Sequence, residues 1–417
     1  MSAQKYLILG LGSSGQAVAR FLLSRSHQVT AVDSKAKELG QKPHIVELCQ
    51  QGLQVLSEQE PLDLGSFTSL IVSPGVPPTH PLYQQAMAAG LEIIGETELA
   101  CGYLSQRMIG ITGTNGKTTV TLLVTHVLNA CGFKAHAVGN VGVPLISMVE
   151  TAAPQDILVI ELSSWQLETM CSKVLDAAVV LNVTPDHLDR HHNMENYARA
   201  KFAISRCLKA DGIWMAHADI SKEFSDILGE YQPHVSYEEL NSASHDAENN
   251  LAAFALCRHF GVSSADFLHA AESFVKPPYR NQLVRTYRGV NYYNDSKGTN
   301  LDAVMKAVTS VQGNCILIAG GRDKGSSFTP WLPVFEGRVR HICAIGESAN
   351  KIKEELSHRV PVTTFESLQQ AVTYAAAMAK AGENVMLSPG CSSYDMFENY
   401  AHRGDEFNKC VFGLEDF

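Results

Sequence analysis

The sequence predicts three consecutive α/β domains, each built on a sheet that is wholly or mostly parallel. Three observations carry this. Apolar runs of strand length alternate with helix-length amphipathic segments along the whole chain. Some of those runs, "DILVIELSS" and "AAVVLNVTPDH" among them, are nearly continuous in apolar residues, as strands covered on both faces require. The 417 residues, 45% of them apolar, suffice for two to four cores at roughly 150 residues each.

Taken in order, "KYLILGLG" reads as a strand, "GQAVARFLLSRS" as an amphipathic helix and "HQVTAVD" as the next strand. "SLIVSPGVP" and "LEIIGE" extend this first domain over residues 1–96. The strand "RMIGIT", a glycine loop and the helix "KTTVTLLVTHVLNACG" open a second domain, which ends with the helices "HDAENNLAAFALCRHFG" and "ADFLHAAESFV". The Pro-Pro of "FVKPPYRNQ" sets its boundary, giving residues 97–276. The third domain, 277–417, begins with a hairpin, "QLVRTYRGVNYYND". The helix "NLDAVMKAVTSV", the strands "CILIAGG" and "HICAIGE", further helices and the strand "NVMLSPG" follow.

The bulk composition narrows the function. A net charge of −10 argues against a nucleic-acid-binding protein, which needs a basic face to offset phosphate charge. Ten scattered cysteines with no C-x-x-C pair fit a reduced cytoplasm better than a disulfide framework or a zinc module. The run "YLILGLG" is short for a signal segment and no later stretch reaches membrane-spanning length, so a soluble cytoplasmic protein without membrane insertion is expected.

"GITGTNGKTTV", Gly110 to Val120, holds the end of a phosphate-binding loop, Gly116-Lys117-Thr118. The first glycine of the common G-x-x-x-x-G-K-[ST] spacing would fall at Ile111, and Gly113 lies inside instead. A strand feeding such a turn aims backbone N–H groups at phosphate oxygens. Lys117 reaches the terminal phosphates and the Thr118 hydroxyl suits Mg²⁺. The loop reads as a nucleotide site, and the altered spacing leaves the class of protein open.

Glu161 closes the apolar run "VIELSS" on the edge where the glycine loop lies, and there it is either a metal ligand or a helix-capping acid. Asp186, His187, Asp189, His191 and His192 crowd together after the next run. No cysteine or glutamate stands at zinc-ligand spacing, so one or two of these histidines, His187 first, are favoured over a zinc site. Lys201, in "MENYARAKFAISRCL", reads on its own as a solvated helix lysine.

In the first domain, "GLGSSG" places Gly10, Gly12 and Gly15 between a strand and a helix, and Asp33 ends the next strand where an acid meets a ribose hydroxyl. That pattern alone keeps a nicotinamide-dependent dehydrogenase open, and a nucleotide-gated binding protein also remains. Hydride transfer, however, has no use for Lys117 and Thr118.

Taken together, "TGTNGKTT", "VIELSSWQL", "NVTPDHLDRH" and "YARAKFAI" resemble, in order, the central motifs of the ATP-dependent Mur ligases of peptidoglycan synthesis. The resemblance covers essentially the whole chain and includes the short loop spacing. It implies a Rossmann-like N-terminal domain, a central P-loop-type ATPase domain and a Rossmann-like C-terminal domain. "YRNQ…NDSKGTN" and "SPGCSSYDMFENYAHRGDEF" look like the branch that adds D-glutamate to UDP-N-acetylmuramoyl-L-alanine.

The resemblance assigns ATP to Gly113, Thr114, Asn115, Gly116, Lys117, Thr118, Thr119, Asn249, Arg280 and Asp295. It assigns two Mg²⁺ sites to Thr118, Glu161, His187 and a carbamylated Lys201, and chemistry to Lys117, His187 and Lys201. Ser13, Ser14, Asp33, Ser34, Lys35 and Gly75 would line the uridine and diphosphate, and Asn140, Ser163 and Gln166 would touch the muramoyl part. Lys324, Ser393 and Tyr400 would hold D-glutamate, with Lys297 and Thr299 beside them on a loop whose Asn300 also serves the nucleotide side. A monomer is expected. The chain departs from the family at His245-Asp246, where H-N is usual for adenine, at "GGRDK", which introduces Arg322, and at Tyr400, where phenylalanine is common.

Overall fold

The computed structural model describes residues 3–229, 233, 235–237 and 245–414. Three sheets carry the fold. The first contains β1 (Lys5–Leu9), β2 (Gln28–Val32), β3 (Leu53–Leu56), β4 (Ser69–Val72) and β5 (Glu92–Gly95), in the order β3-β2-β1-β4-β5 with every pair parallel. The order reverses at β1, so the crevice outside the carboxyl ends of β1 and β4 is where such a sheet takes a ligand.

The second contains β6 (Arg107–Thr112), β7 (Ala135–Gly139), β8 (Ile157–Glu161), β9 (Leu175–Val180), β10 (Leu208–His217) and β11 (Val235–Tyr237), in the order β11-β10-β9-β6-β8-β7, again all parallel. β8 is buried at all five positions, as its uninterrupted apolar run requires. The helix Lys117–Ala130 buries Val120, Leu123, Val124, Val127 and Leu128 at helical spacing into the core shared with Ile109, Ile111, Ile157 and Val159.

The third sheet is mixed. It holds β12 (Gln282–Tyr287), β13 (Val290–Asn294), β14 (Cys315–Gly320), β15 (Val339–Ile345), β16 (Val362–Phe365) and β17 (Asn384–Leu387), in the order β12-β13-β17-β14-β15-β16. Only the β12–β13 hairpin is antiparallel. Helices cover both faces and enclose two apolar cores, one around Trp331 and Phe335, the other around Tyr292 and Phe407.

Residues 3–183, 195–229, 233, 235–237 and 247–274 form one compact unit with the first two sheets; residues 184–194, 245–246 and 275–414 form another with the third. Within the first unit, Arg25, just past the helix Ser13–Ser24, pairs with Glu150 at 3.0 Å. The Glu96 carboxylate there accepts from Ile146 N at 2.7 Å. No described helix is long and apolar enough to cross a membrane.

Candidate active site

The glycine loop leaves β6 at Thr112 and enters its helix at Lys117. It is braced from β9's end by Asn182, whose Oδ1 accepts from Thr114 N at 3.1 Å and Asn115 N at 2.8 Å and whose Nδ2 donates to Asn115 O at 3.2 Å. Gly116 has φ +85°, and a Cβ there would run into Asn249 Oδ1, so a side chain is excluded by both backbone and space. That contact sets the buried Asn249 against the loop. Lys117 Nζ donates to Gly113 O and Thr114 O, each at 2.8 Å, while Thr118 and Thr119 are buried.

Lys201 is 1% exposed, so its reading as a solvated helix lysine is corrected. The helix Met194–Phe202 turns it inward, where Nζ donates to Gly113 O at 2.8 Å and lies 4.4 Å from the Tyr197 ring centroid. Lys117 and Lys201 therefore share one carbonyl acceptor. Tyr197 Oη is 3.2 Å from Thr114 Oγ1.

Glu161 ends β8 as expected and is not a helix cap. Its Oε1 accepts from Asn140 Nδ2 at 2.7 Å; its Oε2 is buried with no hydrogen-bond partner among the described residues. An orphaned buried carboxylate oxygen is costly unless a cation or water meets it. Together with the Thr118 hydroxyl it offers the hard oxygen donors that Mg²⁺ takes, so these residues fit that ion. The described residues contain no group of three histidine, cysteine, aspartate or glutamate side chains placed for a metal. Ser163 and Gln166 form a reciprocal cap on the helix Ser164–Leu167, and Gln166 Nε2 also donates to Thr97 Oγ1 at 3.3 Å.

In the first sheet the turns after β1 and β4 are tied by Ser73 Oγ donating to Gly10 O at 2.7 Å. Gly15 packs so close to Gly10 O that a Cβ would clash with it. Asp33, expected to meet a ribose hydroxyl, spends an oxygen on each of two backbone amides, Leu11 N at 2.7 Å and Lys35 N at 2.8 Å, and so shapes the glycine turn. Ser13, Ser34, Lys35 and Gly75 are exposed around that turn and Ser14 is half-buried.

In the other unit, Asp186 is a hub. Its Oδ1 accepts from Lys324 Nζ at 2.8 Å and His187 N at 3.0 Å, and its Oδ2 accepts from Asn300 Nδ2 at 3.3 Å. His187 adopts a left-handed backbone (φ 53°) at the start of the helix Leu188–His191. Asp295 is buried between Ser388 Oγ at 2.6 Å and Asn281 N at 3.1 Å, and desolvation pushes its carboxyl up to about 7 against these bonds and the charge of Arg280. Lys297 Nζ lies 3.6 Å from the Tyr400 ring centroid, so Tyr400 uses its ring face as well as its backbone. The Tyr400 carbonyl accepts from Ser296 Oγ at 2.8 Å. Ser393 is buried and Thr299 half-buried. Arg322 pairs with Glu347 at 3.0 Å on the surface, which places that charge. The side chains of His245 and Asp246 lie outside the described residues.

Asn182 and the hub role of Asp186 escaped the sequence reading. The signal for Asn182 is position: it follows β9, the neighbour of β6, on the edge where the glycine loop emerges.

Family models match along the chain: "Mur ligase MurD-like, N-terminal domain" over residues 4–95, "Mur ligase middle domain" over 111–273 and "Mur ligase, glutamate ligase domain" over 279–391. The chain belongs to the Mur ligase family. It is 46% identical to the UDP-N-acetylmuramoylalanine–D-glutamate ligase of Protochlamydia amoebophila, over 98% of each chain. It is 36% identical to the protein of the same name from Chlamydia caviae, over 100% of this chain and 99% of that one. Among solved structures, a MurF ligase from Thermotoga maritima in complex with ADP is alike in fold, with a TM-score of 0.63 and 16% identity over 92% of this chain and 95% of that one.

Proposed function

We propose that this chain is an ATP-dependent amide ligase that joins D-glutamate to UDP-N-acetylmuramoyl-L-alanine through an acyl phosphate, in cytoplasmic peptidoglycan precursor synthesis. The observation that carries the reading is the end-to-end 46% identity to a relative with that name. Residues 1–96 take the UDP part, 97–276 the ATP and 277–417 the amino acid. The protein acts as a monomer. All ten cysteines are free thiols, which supports a reducing compartment.

An amide does not form readily from a carboxylate and an amine in water. The muramoyl-alanine carboxylate first attacks the γ-phosphorus of ATP; a P–O bond forms, the bond to the β-phosphate oxygen breaks and ADP leaves. This brings anions together, at a cost of about 1 kcal/mol at 4 Å in water and about 4 at an effective dielectric near 20. Lys117 and the N–H groups of residues 116–119 offset that charge, and Asn182, which takes the N–H groups of Thr114 and Asn115, holds the loop in shape beforehand. Asn249, Arg280 and Asp295 take the rest of the nucleotide.

Mg²⁺ would be held by Thr118 and Glu161, with His187 and a carbamylated Lys201 for a second ion, and would neutralise phosphate charge. A half-buried and a buried ammonium group on the Gly113 carbonyl repel each other; a carbamate on Lys201 turns that repulsion into attraction. The D-glutamate amine, held through Lys297, Thr299, Lys324, Ser393 and Tyr400, then attacks the acyl carbon, phosphate leaves and the amine loses a proton. Ser13, Ser14, Asp33, Ser34, Lys35 and Gly75 hold the uridine diphosphate, and Asn140, Ser163 and Gln166 the muramoyl group.

Phosphate release tests the reading. It is expected only with ATP, Mg²⁺, UDP-N-acetylmuramoyl-L-alanine and D-glutamate all present. Release indifferent to the amino acid, or a change in nicotinamide absorbance instead, would overturn it.

A further inference from the structure

We infer that Asp186 is a positioning residue for the amino-acid substrate: it fixes Lys324 so that two of the three ammonium protons stay free for a substrate carboxylate. The inference rests on the ligase reading above, in which Lys324 binds D-glutamate. A lysine ammonium is a point charge on a flexible stem, and binding through it is weakened by the entropy of ordering four rotatable bonds. Here that ordering is done in advance. The Lys324 side chain is 17% exposed and Asp186 8%, and their 2.8 Å contact is a charge-assisted bond in a mostly desolvated setting.

Among the described residues Lys324 Nζ donates to Asp186 Oδ1 alone, so of its three donors two remain. Asp186 is itself held from two other directions. His187 N donates to Oδ1 at 3.0 Å, and Asn300 Nδ2 donates to Oδ2 at 3.3 Å. Asn300 is anchored in turn, because its Oδ1 caps the helix Leu301–Ser310 by accepting from Ala303 N at 2.9 Å. The carboxylate thus hangs from a helix cap and presents the ammonium from a fixed point. Three motifs that are far apart in sequence, "TPDH", "SKGTN" and "GGRDK", meet here.

The test is steady-state phosphate release by the full-length protein, varying D-glutamate and ATP separately. Asp186→Asn keeps the shape and removes the charge that orients Lys324. Loss of one charge-assisted bond predicts a KM for D-glutamate about ten- to a hundredfold higher, with the KM for ATP within about threefold of wild type. A merely structural role would move both constants or kcat alone. Asp186→Glu keeps the charge but moves it by one methylene, and predicts a selective rise in the KM for D-glutamate smaller than that of Asp186→Asn. An unchanged KM for D-glutamate in a folded Asp186→Asn protein overturns the inference, and a lowered one overturns it by showing that Asp186 competes with the substrate for Lys324. Should Asp186→Asn fail to fold by circular dichroism, Asp186→Glu decides by the same readings. A wild-type protein without D-glutamate-dependent release refutes the ligase reading itself, whereas an active wild type with unaltered variants refutes only the role of Asp186.

Discussion

Replacing Glu96 by glutamine should make the protein more resistant to alkaline pH. Glu96 opens the helix Glu96–Cys101 and is 2% exposed. Its Oε1 accepts from Ile146 N at 2.7 Å and its Oε2 from Thr97 Oγ1 at 3.3 Å. Burial outweighs these bonds and pushes the carboxyl from 4.5 to about 7. A group whose pKa is higher folded than unfolded stabilises the protein fully below the unfolded value and loses that contribution as pH rises through the folded one. The shift implies a loss of about 3 kcal/mol by pH 8, of which about 2.5 falls between pH 5 and pH 8. Glutamine keeps a carbonyl for Ile146 N and has no proton to lose. Urea unfolding of wild type and Glu96→Gln at both pH values, followed by tryptophan fluorescence, measures the difference. Asp295, also raised to about 7, titrates in both proteins and cancels in the comparison. Parallel pH dependences for the two proteins would refute the reasoning.

Lys117→Ala should abolish acyl-phosphate formation while calorimetry finds UDP-substrate binding nearly intact; equal loss of both would place the two ligands in one site. Lys201→Ala should be folded and nearly inactive, and acetate or formate should restore part of the turnover by supplying the missing anionic oxygen; near-normal turnover without them would end the carbamate proposal. Gly15→Ala forces a methyl against Gly10 O, so the turn must open and calorimetric affinity for the UDP substrate should fall at least about tenfold with KM for ATP unchanged.

Much of this architecture is legible in the sequence because buried parallel strands leave an apolar signature. β1, β6, β8, β9 and β14 were each marked by such a run. β16 was missed: "VTTF" is half-buried along its length at a sheet edge, so no apolar run announces it between the flanking helices. β10 begins "LKADG", where the charged Lys209 and Asp211 hide a strand whose continuously buried run is only residues 214–216. At the site, Lys117 and Glu161 are legible because strand ends and glycine turns fix their positions. Lys201 looked solvated because helical spacing alone does not say which face is covered. Asp186 was one acid in a crowded run, and its link to Lys324 joins positions 138 residues apart, a contact that no local pattern encodes.

The most direct measurement is the identity of the product. Full-length protein incubated with ATP, Mg²⁺, UDP-N-acetylmuramoyl-L-alanine and D-glutamate should yield, by mass spectrometry, the UDP substrate enlarged by one glutamyl residue, with one ADP and one phosphate formed per product. ADP and phosphate without an enlarged UDP species, or equal incorporation of unrelated amino acids, would contradict the account.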